Sequence, residues 1–254
     1  MNPVRENKKM TQENIIRKSE KDTLLSNGMN TFEIEIKSLL GEKEVAEALK
    51  QRMCELDPNC QLSGNNKQLN HYFEGGDMEE LVIKVSPHLN DEQLKKLSHI
   101  VSAGSSFSVR TRQKDEQVLL VVKASLDEGT SANTVSRLEF EEEVELSLEE
   151  LDNLLLEAGF DYQAKWSRER EEYNYKGMNV CLDKNAGYGY LAEFEKVLEG
   201  GDDSIILATR AEIESIMQEL GVSELSQDRL ERMFAHYNQN WPDYYGTDKV
   251  FVIE

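Results

Sequence analysis

Strand after strand in this chain carries like charges at every second residue, and few folds can accommodate that pattern. In the stretch from Thr31 to Leu40, Glu33, Glu35 and Lys37 alternate with Phe32, Ile34 and Ile36. Successive side chains of a strand point to opposite faces, so the three charges share one face and the apolar residues the other. The apolar face suits a core. The charged face suits solvent, or an interior in which the charges meet a metal or a counter-charged ligand, because an uncompensated buried charge is costly.

Later strands repeat the pattern with both signs. Arg110 and Arg112 stand two apart, and Lys123 is the one charge in Leu119-Leu-Val-Val-Lys-Ala-Ser125. Arg137, Glu139, Glu141 and Glu143 alternate along one strand, Arg168 and Arg170 along another, Asp183 closes a third, and Glu193 and Glu195 lie on a fourth. Each stripe alone is what a solvent-facing strand shows. A long antiparallel meander that closes or cups, however, brings the acid-pair and base-pair strands together. Acid pairs offer hard oxygen ligands for Mg²⁺ or Mn²⁺. Arginine and lysine pairs neutralise phosphate oxygens, arginine with two-pronged contacts. Carboxylates and clustered cations in one cavity describe metal-bound polyphosphate chemistry.

The 254 residues allow one large all-β or α+β domain with a proper core, or two small ones, and because no stretch reads as a linker we expect one α+β domain with added helices. We expect a polar arm over 1–30 with a short helix around 13–25, a strand-rich body over 31–200, and helices with an aromatic tail over 201–254 packed on it. Expected strands fall at 31–40, 69–74, 106–113, 117–125, 135–146, 160–175, 178–183 and 188–198, with a loop across 58–66 and a polar turn over 127–133. Helices are expected over 42–56, 91–101, 147–158, 207–220 and 226–240, with no role for the rest of 77–105. A formal charge of −20 excludes nucleic-acid binding through the general field, so an anionic ligand needs a local basic site. Cys54, Cys60 and Cys181 lack metal-type spacing and leave one thiol over in any pairing, which points to a reduced, cytoplasmic protein. No apolar run approaches the roughly 20 residues of a membrane span, and the first residues lack a signal-peptide core.

Taken in order, the motifs resemble those of the CYTH superfamily, the triphosphate tunnel metalloenzymes. Glu33-Ile-Glu35-Ile-Lys37 is similar to that family's ExExK signature. The RxR strand, the lone strand lysine, the Arg137-x-Glu139-x-Glu141 strand, a basic pair followed by an aspartate, and a final ExE come in the family's order across about residues 31–199. The family takes in class IV adenylate cyclases, thiamine triphosphatases and inorganic triphosphatases. The resemblance implies an eight-stranded antiparallel β-barrel with flanking helices, its lumen a triphosphate tunnel. It implies Mg²⁺ or Mn²⁺ held by Glu33, Glu35, Glu193 and Glu195, assisted by Glu139, Glu141 and Asp183. It implies a triphosphate gripped by Lys37, Arg110, Arg112, Lys123, Arg137, Arg168 and Arg170, with Glu33, Glu35, Lys37, Glu141 and Arg170 as the catalytic set. The family usually has Lys-x-Arg where this chain has Arg168-Glu-Arg170; Lys165 is the weaker alternative for the first position.

The expected reaction is metal-dependent hydrolysis of a triphosphate, whether inorganic tripolyphosphate, a nucleoside triphosphate or thiamine triphosphate. Conversion of ATP to cyclic AMP and pyrophosphate is the runner-up, and a non-catalytic polyphosphate-binding module the third reading. The expected partner is a triphosphate-bearing small molecule, with no nucleic acid and no membrane. His71, Tyr72 and Phe73 are read as half-buried strand residues, Gly187-Tyr-Gly-Tyr190 as a hairpin turn rather than a phosphate cradle, and Tyr244–Tyr245 as tail aromatics packed on the barrel rather than capping a tunnel mouth.

Overall fold

The alternation seen in the sequence becomes eight strands: β1 (Thr31–Gly41), β2 (Gln61–Gly75), β3 (Ser106–Lys114), β4 (Gln117–Ser125), β5 (Arg137–Glu143), β6 (Phe160–Tyr175), β7 (Met178–Asn185) and β8 (Gly189–Glu199). The computed structural model describes residues 31–125, 137–199 and 203–253. The strands form one sheet in the order β1-β8-β7-β6-β2-β3-β4-β5, every neighbouring pair antiparallel. Among the described residues no ladder joins the edge strands β1 and β5.

Among the described residues six α-helices accompany the sheet: α1 (Lys43–Leu56), α2 (Met78–Val85), α3 (Asp91–Ala103), α4 (Leu148–Glu157), α5 (Asp203–Leu220) and α6 (Gln227–Asn240). Asn90 starts α3 and Ser147 starts α4, each with a reciprocal capping box that satisfies backbone N–H groups left over at a helix start. No helix among the described residues is long and apolar enough to cross a membrane.

The apolar residues of the strands point outward, beneath the helices. Ile34, Ile36, Val180 and Phe194 pack with Leu49 and Met53 of α1 and Ile213 of α5. Val109, Leu120, Val122 and Phe140 pack with Leu81, Leu97, Leu151 and Leu155 from α2, α3 and α4. A third cluster sets Ala164 and Leu191 against Met233 and Tyr237 of α6. With the outer face occupied this way, strand alternation leaves the charged residues on the inner face.

Three expectations change. The stretch expected as a loop across 58–66 is largely strand, since β2 begins at Gln61. Its inner face carries Asn66, Gln68 and Asn70, and a polar inner face removes the apolar alternation by which a strand is recognised. The stretch 77–105 holds two helices rather than one, and together they cover the outer face of the β3–β5 half. β5 ends at Glu143, short of the expected 146. The N-terminal arm with its expected helix and the polar turn over 127–133 lie outside the described residues.

Candidate active site

The inner face of the sheet encloses a cavity of about 700 Å³. Its basic wall comes from the middle of the sheet, where β3 contributes Arg110 and Arg112, β4 Lys123, and β6 Arg168 and Arg170. Lys37 enters from β1. Glu35, Glu193 and Glu195 line the β1–β8 side, and Glu139 and Glu141 the β5 side. Side chains from both edge strands thus face one space, so the sheet is strongly curled.

The cations are held in place by acids. Asp183 is fully buried behind the wall, its Oδ1 accepting from Arg170 Nε at 2.7 Å and its Oδ2 from Arg168 Nη1 at 2.9 Å and Arg170 Nη2 at 2.6 Å. That geometry makes Asp183 the anchor of the two arginines. Arg170 also donates to Glu193, and Lys37 lies 3.3 Å from Glu193 and against Glu35. Burial alone would raise the Glu193 carboxyl, yet Lys37, Arg170 and Arg168 hold it down at about 2. Arg112 donates to Glu141 at 2.5 Å, and Lys123 lies 3.0 Å from Glu139. Burial pushes the Arg112 guanidinium below its ordinary value; Glu141 opposes this, while Arg110 and Arg168 add to it. A cluster of cations that repel one another in a confined space is an anion site in wait.

The expected residues fall out as follows. Glu35, Lys37, Arg110, Arg112, Lys123, Glu139, Glu141, Arg168, Arg170, Glu193 and Glu195 line the cavity, and Asp183 sits behind it. Glu33 pairs with Val197 and Arg137 with Ser125 along the ladders, each in step with the cavity-facing residues of its strand; their side chains lie outside the described set. Lys165 is on the outer face, 4.0 Å from the Tyr162 ring centre, whereas Arg168 and Arg170 line the cavity.

Sequence reasoning missed two groups. One is the amide row Asn66, Gln68 and Asn70 on the inner face of β2, each buried and each facing an arginine across a ladder. Polar residues at every second position were the available signal. The other is an aromatic end, where Tyr72, Phe107, Trp166, Tyr188 and Phe234 reach the cavity. Trp166 stacks on Tyr237 with ring centres 3.6 Å apart. Phe234 comes from α6, far along the chain, and no local pattern announces it.

On the outer face, His71 bridges two elements. Its Nδ1 lies 2.6 Å from Asp152 Oδ2 and its Nε2 2.7 Å from the Tyr245 hydroxyl. Asp152 also accepts from Thr111 and Tyr162. Burial would raise the Asp152 carboxyl, but these hydrogen bonds from His71, Thr111 and Tyr162 hold it below its ordinary value. His71 and Thr111 stand between the cavity-facing Asn70 and Tyr72, and between Arg110 and Arg112, so the network fixes the strands that carry the site. Tyr245 here, and Tyr244 against Tyr237 and Phe251, pack on the sheet as expected. Gly187 lies in the turn between β7 and β8, also as expected.

The cavity acids offer oxygen donors alone, which suits a hard divalent cation. Glu35 stands directly opposite Glu195 in the β1–β8 ladder. Like charges in that position disfavour pairing unless a cation lies between them. Among the described residues no three acidic, histidine or cysteine side chains already converge at ligating distance. The donor chemistry fits the expected ion, with Lys37 against Glu35 and Arg170 against Glu193.

Comparison with known proteins gives the same picture. A family model for the CYTH domain matches residues 99–230, from the end of α3 into α6. The first strand, with its ExExK pattern, lies outside that match. Among solved structures, the chain is similar to the PH1819 protein of Pyrococcus horikoshii OT3, at 20% identity and a TM-score of 0.52, over 80% of this chain and 98% of that one. It is similar to the PH1012 protein of the same organism, at 19% identity and a TM-score of 0.51, over 76% and 92%. A conserved hypothetical protein of Pyrococcus furiosus gives 18% identity and a TM-score of 0.51 over the same shares. These likenesses concern the fold. No curated protein matches the sequence.

Proposed function

We propose, from the premise that this chain belongs to the CYTH domain family, that it hydrolyses a triphosphate with the help of a divalent cation inside a tunnel formed by the curled sheet. The observation that carries this reading is the convergence of Arg110, Arg112, Lys123, Arg168, Arg170 and Lys37 on one cavity that also holds five glutamates. A triphosphate is the compact polyanion that such a wall suits, its oxygens meeting the guanidinium and ammonium N–H groups that the acids and amides leave over.

Arg110, Arg112 and Lys123 bind one side of the phosphate chain and Arg168 and Arg170 the other. Asp183 keeps the last two from turning away. Glu35, Glu193 and Glu195, with Glu33 on the same strand face as Glu35, would hold Mg²⁺ or Mn²⁺, with Glu139 and Glu141 across the cavity. The ion supplies charge neutralisation at the phosphate oxygens. Fixed positive charge aimed at the transferring phosphoryl group does most of the work in such reactions, and water attacks in line.

The aromatic end gives the substrate a second requirement. Phe107, Trp166 and Phe234 offer an apolar surface beside the basic wall, which favours a triphosphate with an organic group, such as a nucleotide, over tripolyphosphate. The same feature keeps a second reading open, in which a ribose hydroxyl attacks the α-phosphorus of ATP and releases pyrophosphate.

Joint replacement of Glu33 and Glu35 by glutamine tests the proposal. Turnover should be lost while triphosphate binding partly remains, since the basic wall is untouched. Unchanged turnover would remove the acidic side from the chemistry.

A further inference from the structure

The amide row on β2 is directional, its order fixed at one end by Glu172, which only accepts, and at the other by Arg168 and Arg112, which only donate. Glu172, on β6, accepts from Asn66 Nδ2 at 3.0 Å. A carboxylate only accepts, so Asn66 must present its amide nitrogen to Glu172 and its oxygen the other way. Asn66 Oδ1 takes the hydrogen bond of Gln68 Nε2 at 2.7 Å, and Gln68 Oε1 takes that of Asn70 Nδ2 at 3.5 Å. Gln68 and Asn70 therefore point their oxygens toward the basic wall. Gln68 Oε1 accepts from Arg168 Nε at 2.8 Å, and Asn70 Oδ1 accepts from Arg112 Nε at 2.7 Å.

We infer that Glu172, Asn66, Gln68 and Asn70 form a positioning relay that orients Arg168 and Arg112 for the triphosphate. The row ties each guanidinium at its Nε. Nη1 of Arg168 goes to Asp183 and Nη1 of Arg112 to Glu141, and among the described residues the Nη2 of each has no protein acceptor. The row's amides are neutral, so they fix both arginines without cancelling further cavity charge. Gln68 and Asn70 are 4% and 3% exposed, which removes water as an alternative partner that could scramble the order. Glu172 itself is outside the cavity lining, so its influence on the arginines runs through the amides. The inference rests on the triphosphate reading for its purpose, although the relay exists whatever the ligand.

The test is Glu172→Gln, whose amide can donate as well as accept and so no longer dictates the direction. Two readouts are taken on the full chain: the arginine Nε–H cross-peaks in a ¹H–¹⁵N spectrum, and tripolyphosphate affinity by calorimetry. The expected result is that the Nε–H signals of Arg168 and Arg112 both shift or broaden and that tripolyphosphate binds about threefold or more weakly, in the range networks of this kind transmit. Gln68→Met, which keeps the side chain's bulk, should disturb Arg168 and weaken binding in the same way. Unchanged cross-peaks in Glu172→Gln would overturn the relay, and shifted cross-peaks with unchanged affinity would overturn its positioning role. A wild-type protein that binds no tripolyphosphate would instead count against the proposed function, with the cross-peaks still judging the relay.

Discussion

Arg170 grips Asp183 with two prongs, Nε to Oδ1 at 2.7 Å and Nη2 to Oδ2 at 2.6 Å, and Asp183 has no exposure to solvent. Arg168 completes the arrangement on Oδ2, so one buried carboxylate holds two cavity cations. Removing one partner of such a group strands the other charges. Asp183→Ala should therefore cost about 3–5 kcal/mol of stability in urea unfolding. A loss below about 1 kcal/mol would show that the carboxylate is not what holds the pair.

This pair also shows how far the sequence could be read. Charges at every second residue gave the strands that bear the site, because the outer face of each was apolar enough to mark the alternation. Asp183 was legible as a member of the site but not as its anchor, since the distinction lies in which way Arg168 and Arg170 turn. β2 was read only from residue 69, because Asn66, Gln68 and Asn70 make its inner face polar in a way that resembles a loop. Phe234 escaped altogether, since α6 reaches the cavity only through tertiary packing. Lys165 and Arg168 were separated by face, which one residue of register decides.

The outer network predicts a pH dependence. Hydrogen bonds from His71, Thr111 and Tyr162 hold the Asp152 carboxyl below the ordinary aspartate value in the folded protein, so it contributes stability that is present above that ordinary value and is lost as pH falls through the lower folded one. Melting temperatures of wild type and Asp152→Asn should differ most at neutral pH. The gap should close as pH falls below about 4. A gap that stays constant down to pH 2 would contradict this.

Gly189 opens β8 with a φ of +72°, and a Cβ there would meet the carbonyl oxygen of Gly41. Gly177 has a similar φ of +75° with open space around it. Gly177→Ala should cost about 1–2 kcal/mol from backbone conformation alone. Gly189→Ala should cost more, at least about 2–3 kcal/mol, because backbone must also move. Equal costs in chemical unfolding would mean that the β1–β8 junction yields freely.

Phe234 lines the aromatic end, its ring edge-on to Trp166 and Tyr188. Phe234→Ala should raise KM for ATP about fivefold or more through lost apolar contact. KM for tripolyphosphate should stay unchanged. A similar rise for both substrates would mean that α6 supports the wall rather than the organic group.

The decisive experiment identifies products. The purified protein is incubated with Mg²⁺ or Mn²⁺ and, separately, tripolyphosphate, ATP and thiamine triphosphate, and the mixtures are resolved by phosphorus NMR. The proposed function predicts orthophosphate and the matching diphosphate, with the organic triphosphates turned over faster than tripolyphosphate. Pyrophosphate with cyclic AMP from ATP, or no turnover of any of the three with either ion, would contradict it.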